Sequence, residues 1–514
     1  MIVPFENCGS AGIIKDVSPN SIAPEAWSDG LNIVCQDGGI ERISGYESNY
    51  GTPTVKPYGL AAIKSVAGVP FWVYCGLDNA YAVTGETPVH TDISRAAGVF
   101  TGTTTDRWNY ADFFGTLIAN NGVDDPQFWV PDTSNDFADL TNWPAATTAK
   151  VMREYKNFLI ALNVTESGTT KPHRLMWSHP ADPGSLPADW AYTTATSDSG
   201  ITDITGAGSL VDCLALGEQN IIYKEGSTSS MQFIGAPYIF RFSPVFSEAG
   251  MLAQGCAVEI DGQHVVLTQG DLIIHNGVSA ESMLEKRDRA WLFRNISSDN
   301  YAQCRVIKSR ARKEVYVLFP SPGAATIDSA LIWDYATNTI SFKTMPEVLC
   351  ANTGIIQGSS TTTYDTVTGT YDNTSLTYEG SEYTPTTPRV MLGTENTKLY
   401  LDDSTQDHDG TNIYAFVEKT SMDLGLPQQY KLIKSCRPRF AGKTGDTINI
   451  YIGTQELIDS PISWGSPQVF TIGTDYKVDF LKSGRYISIK FESSGGDKWR
   501  LNEFDLDVEP QGLF

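Results

Sequence analysis

The sequence predicts an all-β protein: a β-propeller of six or seven blades with an N-terminal extended arm and a C-terminal β-sandwich. One local pattern, a short apolar run, a tight polar turn and a second run, recurs six times between residues 60 and 345. Glycine and proline are frequent, at 45 and 26 of 514 residues, as are threonine and aromatic residues. This composition favours strands and turns over helices.

The six copies identify the propeller. They are VPFWVYCGLDNAYAVTG, FFGTLIANNGVDDPQFWV, EYKNFLIALNVTESGTTKPHRLMWS, EQNIIYKEGSTSSMQFIG, GQHVVLTQGDLIIHNG and KEVYVLFPSPGAATIDSALIWDY. Their apolar runs start 45, 42, 62, 44 and 51 residues apart. About 40 to 45 residues make one four-stranded blade. A single hairpin buries too little surface to be stable, so the copies are expected to pack side by side in a ring.

Residues 1–50 are predicted to form an extended arm and a closing hairpin. Pro19 and Pro24 bias the preceding residues of SPNSIAPEAWSDG toward extended conformations, so this segment should lie along another surface. The runs LNIVC and IERISGY, joined by the turn 36–39, form a hairpin. We expect this hairpin to close the ring by pairing with strands from the far end of the propeller.

The propeller is assigned to 51–410, with inserted loops and one short helix. The 62-residue interval contains SHPADPGSLPADWAYTTATSDSG, a loop that must leave its blade. The segment 279–296 is predicted to be a helix with Ser279 as N-cap. The repeat TYDTVTGTYDNTSLTYEG, with Tyr364, Tyr371 and Tyr378 seven residues apart, indicates short hairpins or a surface loop.

The C-terminal residues 411–514 are predicted to form the β-sandwich. Seven short strands separated by Gly, Asp and Ser turns fit that architecture. Their sequences are NIYAFVEKT, KLIKSCRPRFAG, TINIYIGT, QVFTIG, YKVDFL, RYISIKFES and WRLNEFDLDVEP.

The cysteines and the N-terminus indicate a protein made in a cytosol and without a membrane span. MIVPFENCGSAG has neither the basic start nor the apolar centre of a signal peptide, and no apolar run approaches the roughly 20 residues of a membrane span. The cysteines are widely spaced, without C-x-x-C or histidines at metal-ligand spacing, which favours buried free thiols. They are Cys8, Cys35, Cys75, Cys213, Cys256, Cys304, Cys350 and Cys436.

The net charge limits the partners. With 60 acidic and 37 basic residues the chain carries a formal charge of -23. Tight DNA binding over the whole surface is therefore not expected, because that requires Lys and Arg to displace counterions. An acidic surface suits a passage through which DNA slides, and it also simply keeps a large protein soluble.

Catalytic and metal motifs are not recognisable, so the sequence predicts no catalytic residue, no cofactor and no metal site. His179 and Asp182 lack a G-x-S-x-G or H-E-x-x-H context. DDSTQDHDG, residues 402–410, fails the EF-hand pattern and is interpreted as an exposed turn between two domains. Asp124 and Asp125 are interpreted as turn residues, not as the paired carboxylates of a glycosidase. SHPADPGSLPADW has the letters of a sialidase Asp box at the wrong spacing.

Two basic clusters stand out. In the first, Lys286, Arg287, Arg289 and Arg294 alternate with acids, which predicts a solvated, salt-bridged helix. The second lies on a strand and its hairpin turn, with only Glu314 nearby in sequence to offset it. It is the better candidate for contact with DNA phosphate or an acidic neighbouring subunit, and an ordinary exposed turn is the alternative. Its members are Arg305, Lys308, Arg310, Arg312 and Lys313.

Three phrases resemble the tail nozzle proteins of short-tailed bacteriophages, a group that includes packaged-DNA stabilisation and tail tubular proteins. They are SPNSIAPEAWSDGLNIVCQDGGIERISGY, YKNFLIALNVTESGTTKPHRLMWSHPADPGSLPADW and SGRYISIKFESSGGDKWRLNEFDLDVEP, from both ends and the middle of the chain. The resemblance implies a structural virion protein, not an enzyme. It implies a β-propeller protein that forms a homohexameric tube below the portal and adaptor, retains packaged DNA and conducts it during ejection. The chain is shorter than the largest members, which leaves direct attachment of tail fibres or spikes open.

The resemblance places the protein in the phage tail, and in the host cytoplasm during assembly. DNA would pass between six propellers, because the axis of one propeller is narrow and usually filled by side chains. The alternative function is a carbohydrate-binding or glycan-hydrolysing propeller of a phage receptor-binding protein, for which 23 Tyr and 11 Trp would supply stacking surfaces. A secreted cellular lectin is disfavoured because a signal peptide is missing.

Overall fold

The computed structural model describes residues 1–36, 38–85, 88–96, 98–194, 196–356, 387–458 and 460–513. The predicted hairpins of the tyrosine repeat around Tyr364, Tyr371 and Tyr378 lie outside the described residues.

The N-terminal 50 residues contain five short strands and one turn of 3₁₀ helix, Pro19–Ser21. The strands are β1 Ile2–Phe5, β2 Asp29–Leu31, β3 Ile33–Gln36, β4 Gly39–Arg42 and β5 Gly45–Ser48.

Five four-stranded antiparallel sheets follow, each built from four consecutive strands. Blade 1 contains β6 Gly59–Lys64, β7 Pro70–Cys75, β8 Ala80–Val83 and β9 Thr91–Asp92. Blade 2 contains β10 Asn109–Phe113, β11 Thr116–Asn120, β12 Gln127–Trp129 and β13 Ala138–Asp139. Blade 3 contains β14 Thr147–Tyr155, β15 Phe158–Glu166, β16 Thr169–Trp177 and β17 Gly200–Asp203. Blade 4 contains β18 Leu210–Leu216, β19 Gln219–Lys224, β20 Thr228–Phe233 and β21 Phe240–Phe246. Blade 5 contains β22 Ala257–Ile260, β23 Gln263–Leu267, β24 Leu272–His275 and β25 Ala280–Ser282.

The next sheet has seven strands and comprises blades 6 and 7. A short helix, α1 Arg289–Asn295, and a 3₁₀ turn, Tyr301–Gln303, precede it. Its strands from the propeller segment are β26 Arg305–Ser309, β27 Glu314–Phe319, β28 Ile327–Asp334, β29 Thr339–Gly354, β30 Arg389–Thr394 and β31 Leu399–Thr405. The register shifts within β29, whose first half pairs mainly with β28 and whose second half pairs with β30. Blade 6 is therefore β26 to the first half of β29, and blade 7 starts with the second half.

The first strands of the blades form a closed ring. β6, β10, β14, β18, β22, β26 and β29 each contact the next, and β29 returns to β6. The ring closes where the Asn352 side chain donates a 3.0 Å hydrogen bond to the Leu60 carbonyl. A buried cluster around Trp72 and Met391 fills the space between blades 7 and 1. Within the described residues the propeller thus has seven blades, which confirms the predicted all-β propeller fold.

The remaining strands form two packed sheets. They are β32 Ala415–Met422, β33 Gln429–Ala441, β34 Thr447–Gln455, β35 Ser463–Trp464, β36 Gln468–Thr471, β37 Val478–Gly484, β38 Tyr486–Ser493 and β39 Arg500–Leu513. One sheet has the order β3-β4-β39-β33-β37 with β1 beside β39, and the other has β2-β32-β38-β34-β35 with β36 beside β34. The ring centroids of Trp27 and Phe491 are 6.1 Å apart in the core between the two sheets.

The predicted N-terminal hairpin closes the propeller only through its last residues, Gly45 and Tyr46, whereas its β3–β4 part does not pair with a blade. β3 and β4 join the sandwich, where Arg500 of β39 pairs with Glu41 of β4. The closing strand is β5, which pairs with β31 and completes blade 7. The hairpin's apolar residues Ile33 and Ile40 are fully buried in the core that includes the sandwich, whereas β5 supplies only a short outer strand.

The extended arm lies along its own chain and is held there by buried polar contacts. The Lys419 ammonium donates hydrogen bonds to the carbonyls of Ala23, Pro24 and Ala26 at 2.8, 3.0 and 2.6 Å. Asp16 accepts hydrogen bonds from the first backbone N–H groups of α1, which would otherwise lack partners. These contacts join the arm to the sandwich on one side and to the helix before blade 6 on the other.

The predicted helix over 279–296 is wrong in its first half. Residues 280–282 form β25, the outer strand of blade 5, and only Arg289–Asn295 is helical. Asn276 organises a turn by accepting hydrogen bonds from the amides of Val278 and Ser279, so Ser279 belongs to that turn and is not an N-cap. Pairing with β24 determines the conformation of this segment more than its helical propensity does.

Candidate functional site

The second basic cluster is distributed over three environments. β26 and β27 pair from Arg305 opposite Leu318 to Ser309 opposite Glu314, and residues 310–313 form the turn. Side chains alternate between the two faces of a strand, so neighbouring bases on β26 point to different sides. The structure does not bring all five residues onto one surface.

Two of the five bases bind acids of other blades. Lys308 contacts Glu259 of blade 5 at 3.2 Å and also donates to the Glu259 carbonyl. Arg312 forms a two-pronged ion pair with Asp403 of β31 in which both side chains are largely buried. The expectation that only Glu314 offsets this cluster is wrong, because these acids are distant in sequence and near in space.

Arg310 and Lys313 are exposed at the hairpin turn. Lys313 has a φ of 57°, in the left-handed region that tight turns use. These two side chains are the part of the predicted cluster that a polyanion or an acidic neighbour could reach.

Arg305 lies at the axis of the propeller instead. Burial lowers the pKa of Arg305, and the nearby side chains of Cys350, Tyr110 and Cys256 partly offset that shift. These neighbours come from blades 7, 2 and the entry to blade 5, and only the axis is common to them. Arg107, just before β10, donates a 3.2 Å hydrogen bond to the carbonyl of Gln303, just before β26. That bond joins blades 2 and 6, which are not adjacent, so Arg107 crosses the axis.

The first basic cluster is tied to the protein by specific contacts. Arg287 donates hydrogen bonds to the carbonyls of Asn338 and Ala11. Arg289 approaches Asp271 at 3.8 Å, and Arg294 approaches Asp16 at 3.6 Å. Arg289 and Arg294 are thus salt-bridged, but their partners lie outside the helix, and no described contact pairs them with the acids that alternate with them in sequence.

The acidic string 402–410 is not simply an exposed turn. Asp402 is 1% exposed and pairs at 2.6 Å with Lys343, which is 2% exposed. Asp403 pairs with Arg312, and Asp409 pairs with Lys398 near the surface. Its first two acids therefore stabilise the seam between blades 6 and 7.

The turn interpretation of Asp124 is confirmed. Its carboxylate accepts hydrogen bonds from Thr101 and Asn121 and pairs with Arg95 at 3.2 Å. His179 accepts a hydrogen bond from the Asp198 amide within the long loop, and Asp182 accepts one from the Ser185 amide through its carbonyl.

A shallow pocket of about 380 Å³ lies where the first strands of blades 2, 3 and 4 end. Asp112 and Glu154 contribute carboxylates to its wall, and Lys156 and Phe114 lie beside them. Asp112 accepts a hydrogen bond from the Gly115 amide, so it also orders the β10–β11 turn.

A buried histidine pair lies between blades 4 and 5. The Tyr223 hydroxyl is 2.7 Å from both His264 Nδ1 and His275 Nε2. His264 Nε2 donates to the Ala215 carbonyl, so its Nδ1 accepts from Tyr223, and His275 Nε2 then donates to the same hydroxyl. Both rings are neutral in this arrangement, and burial lowers the pKa of His275 to about 4. Sequence reasoning missed this pair because its members are 11 residues apart on different strands.

Other chemistry is limited in the described part of the chain. All eight cysteines are buried thiols, as predicted. Within the described residues, no group of three or more His, Cys, Asp or Glu side chains is placed to hold a metal ion. No helix of the described ranges is long and apolar enough to cross a membrane.

Comparisons with known proteins support no family assignment. No family model matches the chain, and no curated protein matches it. Among solved structures, the WD40 β-propeller domain of Doa1 has 10% identity and a TM-score of 0.39, with 70% of this chain and 96% of that chain covered. PorZ of Porphyromonas gingivalis, a component of its type-IX secretion system, has 10% identity and a TM-score of 0.34, with 85% and 46% covered. An exo-β-1,3-galactanase from Phanerochaete chrysosporium has 8% identity and a TM-score of 0.27, with 91% and 100% covered. Scores this low carry no information about function.

Proposed function

We propose that this chain is a structural virion protein that forms the tail nozzle of a short-tailed bacteriophage. In this role it lies below the portal and adaptor, retains packaged DNA and conducts it during ejection. The resemblance of three phrases, at both ends and in the middle of the sequence, is the origin of this proposal. The protein would occupy the virion tail, and the host cytoplasm during assembly.

The observation that best supports the proposal is that the N-terminal strands take part in both the sandwich and the propeller. β1, β2, β3 and β4 belong to the sandwich, and β5 belongs to blade 7 of the propeller. Asn32 joins the two parts, because it accepts a hydrogen bond from the Thr344 amide of β29 and donates one to the Tyr414 carbonyl. Separating propeller from sandwich would break these bonds and expose the apolar core that the two parts share. A subunit that resists separation of its two parts suits a tube under load from packaged DNA.

The blocked axis of the propeller favours a tube made from several propellers over a passage through one propeller. Because Arg107 crosses the axis to the Gln303 carbonyl, a DNA duplex has no path through one propeller. DNA would pass between propellers arranged as a homohexamer. The net charge of -23 suits that passage, since like charge keeps DNA from adhering to its wall. Arg310 and Lys313 would provide transient, sequence-independent contacts, and tail fibres or spikes are further partners of the same assembly.

The assembly test uses the full-length protein alone and mixed with the portal and adaptor proteins from the same genome. Mass photometry and negative-stain microscopy should show rings of six subunits, at least in the mixture. A monomer under both conditions, with no binding to the portal complex, would contradict the proposal. Genes for a portal and a terminase beside this one are the expected genomic context.

The same protein preparation distinguishes the nozzle function from the alternative function, that of a glycan-binding or glycan-hydrolysing propeller. A glycan array and a hydrolysis assay should show no saturable binding or cleavage. If sugar binding appears and is lost when Glu154 in the shallow pocket is replaced by Gln, the nozzle proposal is replaced by the receptor-binding one.

A further inference from the structure

The axis of the propeller brings basic side chains of several blades together. Arg107, Arg153 and Arg305 meet there, and Asp212 pairs with Arg153 and lies near Arg107. The three guanidiniums come from blades 2, 3 and 6, and Asp212 comes from blade 4. This arrangement is a basic chamber inside an acidic protein. We refer to these four residues as the axial cluster.

Asp212 is already fully engaged. Its carboxylate oxygens accept bonds of 2.9 and 2.8 Å from Arg153 Nε and Nη2. They also accept bonds from the amides of Cys213 and Gly255 at 2.9 and 3.0 Å. Arg153 is further fixed by the Tyr110 carbonyl at 3.1 Å. The Arg153–Asp212 pair is therefore complete, and within the described ranges no carboxylate forms an ion pair with Arg107 or Arg305.

Arg305 and Arg107 have donors without acceptors. Arg305 makes no hydrogen bond or ion pair through its guanidinium to any described residue, and its Nε is buried. Arg107 uses Nη2 on the Gln303 carbonyl, while its Nη1 is buried without a partner among the described residues. Burial, and then the adjacent Arg305 cation, lower the pKa of Arg107 to about 9. Buried donors and paired cations normally have acceptors, so this set of donors indicates a missing anion.

The surroundings restrict the size of that anion. Arg305 Nη1 is 3.9 Å from the position that a Cβ on Gly255 would take, so the guanidinium lies beside the chain segment that enters blade 5. Arg107, Arg153 and Arg305 are all partly exposed, so small solutes in water can reach the cluster. The cross-axis bond of Arg107 excludes a polymer that threads the axis.

We propose that the axial cluster binds one small inorganic oxyanion of the phosphate or sulfate type, with Arg305 and Arg107 as its ligands and the Arg153–Asp212 pair as the support that positions them. Guanidinium groups suit such an anion because their N–H groups form forked, charge-assisted bonds to its oxygens. This inference does not depend on the nozzle proposal. The bound anion would stabilise the ring, because it would bond to side chains from blades 2 and 6 at the axis.

The test measures binding of inorganic phosphate to the full-length protein in a phosphate-free, sulfate-free buffer at constant ionic strength. Isothermal titration calorimetry should show one site per chain. Thermal unfolding should move to higher temperature with phosphate and saturate, whereas added sodium chloride of equal ionic strength should have a much smaller effect. Sulfate should compete with phosphate.

Arg305→Gln should weaken phosphate binding about 10- to 100-fold, because a charge-assisted ligand is lost. Arg107→Gln should do the same. Arg310→Gln is the matched control: it removes the same charge at the exposed turn of the same hairpin and should leave binding unchanged. Should an axial variant fail to fold, binding to the unmodified protein still decides the question.

Three results would overturn the inference. The first is that the unmodified protein binds no phosphate at concentrations up to about 10 mM, on the order expected for a weak anion site. The second is that chloride stabilises the protein as much as phosphate does. The third is that Arg310→Gln removes phosphate binding as strongly as Arg305→Gln does. A short oligothymidylate distinguishes free phosphate from nucleic acid. Stabilisation by the oligonucleotide in the absence of any effect of inorganic phosphate would also count against the site.

Discussion

Replacing Lys343 by Met should be among the most damaging single changes in the propeller. Lys343 and Asp402 are 2% and 1% exposed, and their charged atoms are 2.6 Å apart. At an effective dielectric constant of about 20, two charges at this distance attract each other by about 6 kcal/mol before desolvation is subtracted. Removing the lysine leaves the Asp402 carboxylate buried, and its Oδ2 already lacks a hydrogen bond partner in the part of the chain that the structure describes. Breaking a buried pair in this way costs about 3–5 kcal/mol.

The location of this pair gives the change a second readout. Lys343 lies in the first half of β29, in blade 6, and Asp402 lies in β31, which pairs with the closing strand β5. Denaturation by urea, followed by tryptophan fluorescence, should show the loss of free energy of unfolding. Limited proteolysis should show faster cleavage near residues 45–48 and 399–405.

Two further variants provide the controls. Lys398→Met removes a partner of Asp409 from a pair near the surface, with 37% and 29% exposure, and should cost at most about 1 kcal/mol. The double change Lys343→Met with Asp402→Leu should recover most of the lost free energy, since an apolar pair leaves no buried charge. If Lys343→Met alone costs less than about 1 kcal/mol, or if the double variant is as unstable as the sum of its single changes, the pair is not the buried interaction described here.

Lys419→Met should lower the free energy of unfolding by at least about 2 kcal/mol and speed proteolysis within residues 18–26, because three carbonyls lose their donor. A cleavage rate equal to that of the unmodified protein would contradict this. His275→Gln should flatten the dependence of stability on pH between 6.5 and 4. The folded pKa of about 4 lies below the unfolded value, so the protein loses up to about 3 kcal/mol as the pH falls through that window, and an unchanged slope would refute the role. The double change Arg310→Ser with Lys313→Ser should alter the free energy of unfolding by no more than about 0.5 kcal/mol. It should weaken retention of DNA in assembled tails, with an effect that fades as salt rises, and identical assembly and retention at low salt would assign the turn to solvent alone.

Much of the fold was predictable because its signals are local. A blade consists of consecutive antiparallel strands, so alternation and turn residues within about 45 residues identify it. The seventh blade was harder to predict for two reasons. β29 supplies a strand to each of two blades without a turn between them, and β5 comes from the other end of the chain. The partner of the β3–β4 hairpin was predicted wrongly for the same reason, since Glu41 and Arg500 are 459 residues apart. Local pattern predicts that a hairpin exists and carries little information about the sheet that it joins.

The basic residues show why a site is harder to predict than a strand. Five bases within nine residues form a cluster in sequence, and a β-strand separates them, since each side chain projects away from its neighbours. Lys308 binds Glu259, Arg312 binds Asp403, and Arg305 reaches the axis, where its neighbours are Arg107 and Arg153. The two arginines that share this environment with Arg305 are 152 or more positions away in sequence. Charge density along a chain therefore predicts a basic surface only where the structure keeps the side chains together, and in this propeller the concentration of positive charge is at the centre of the ring.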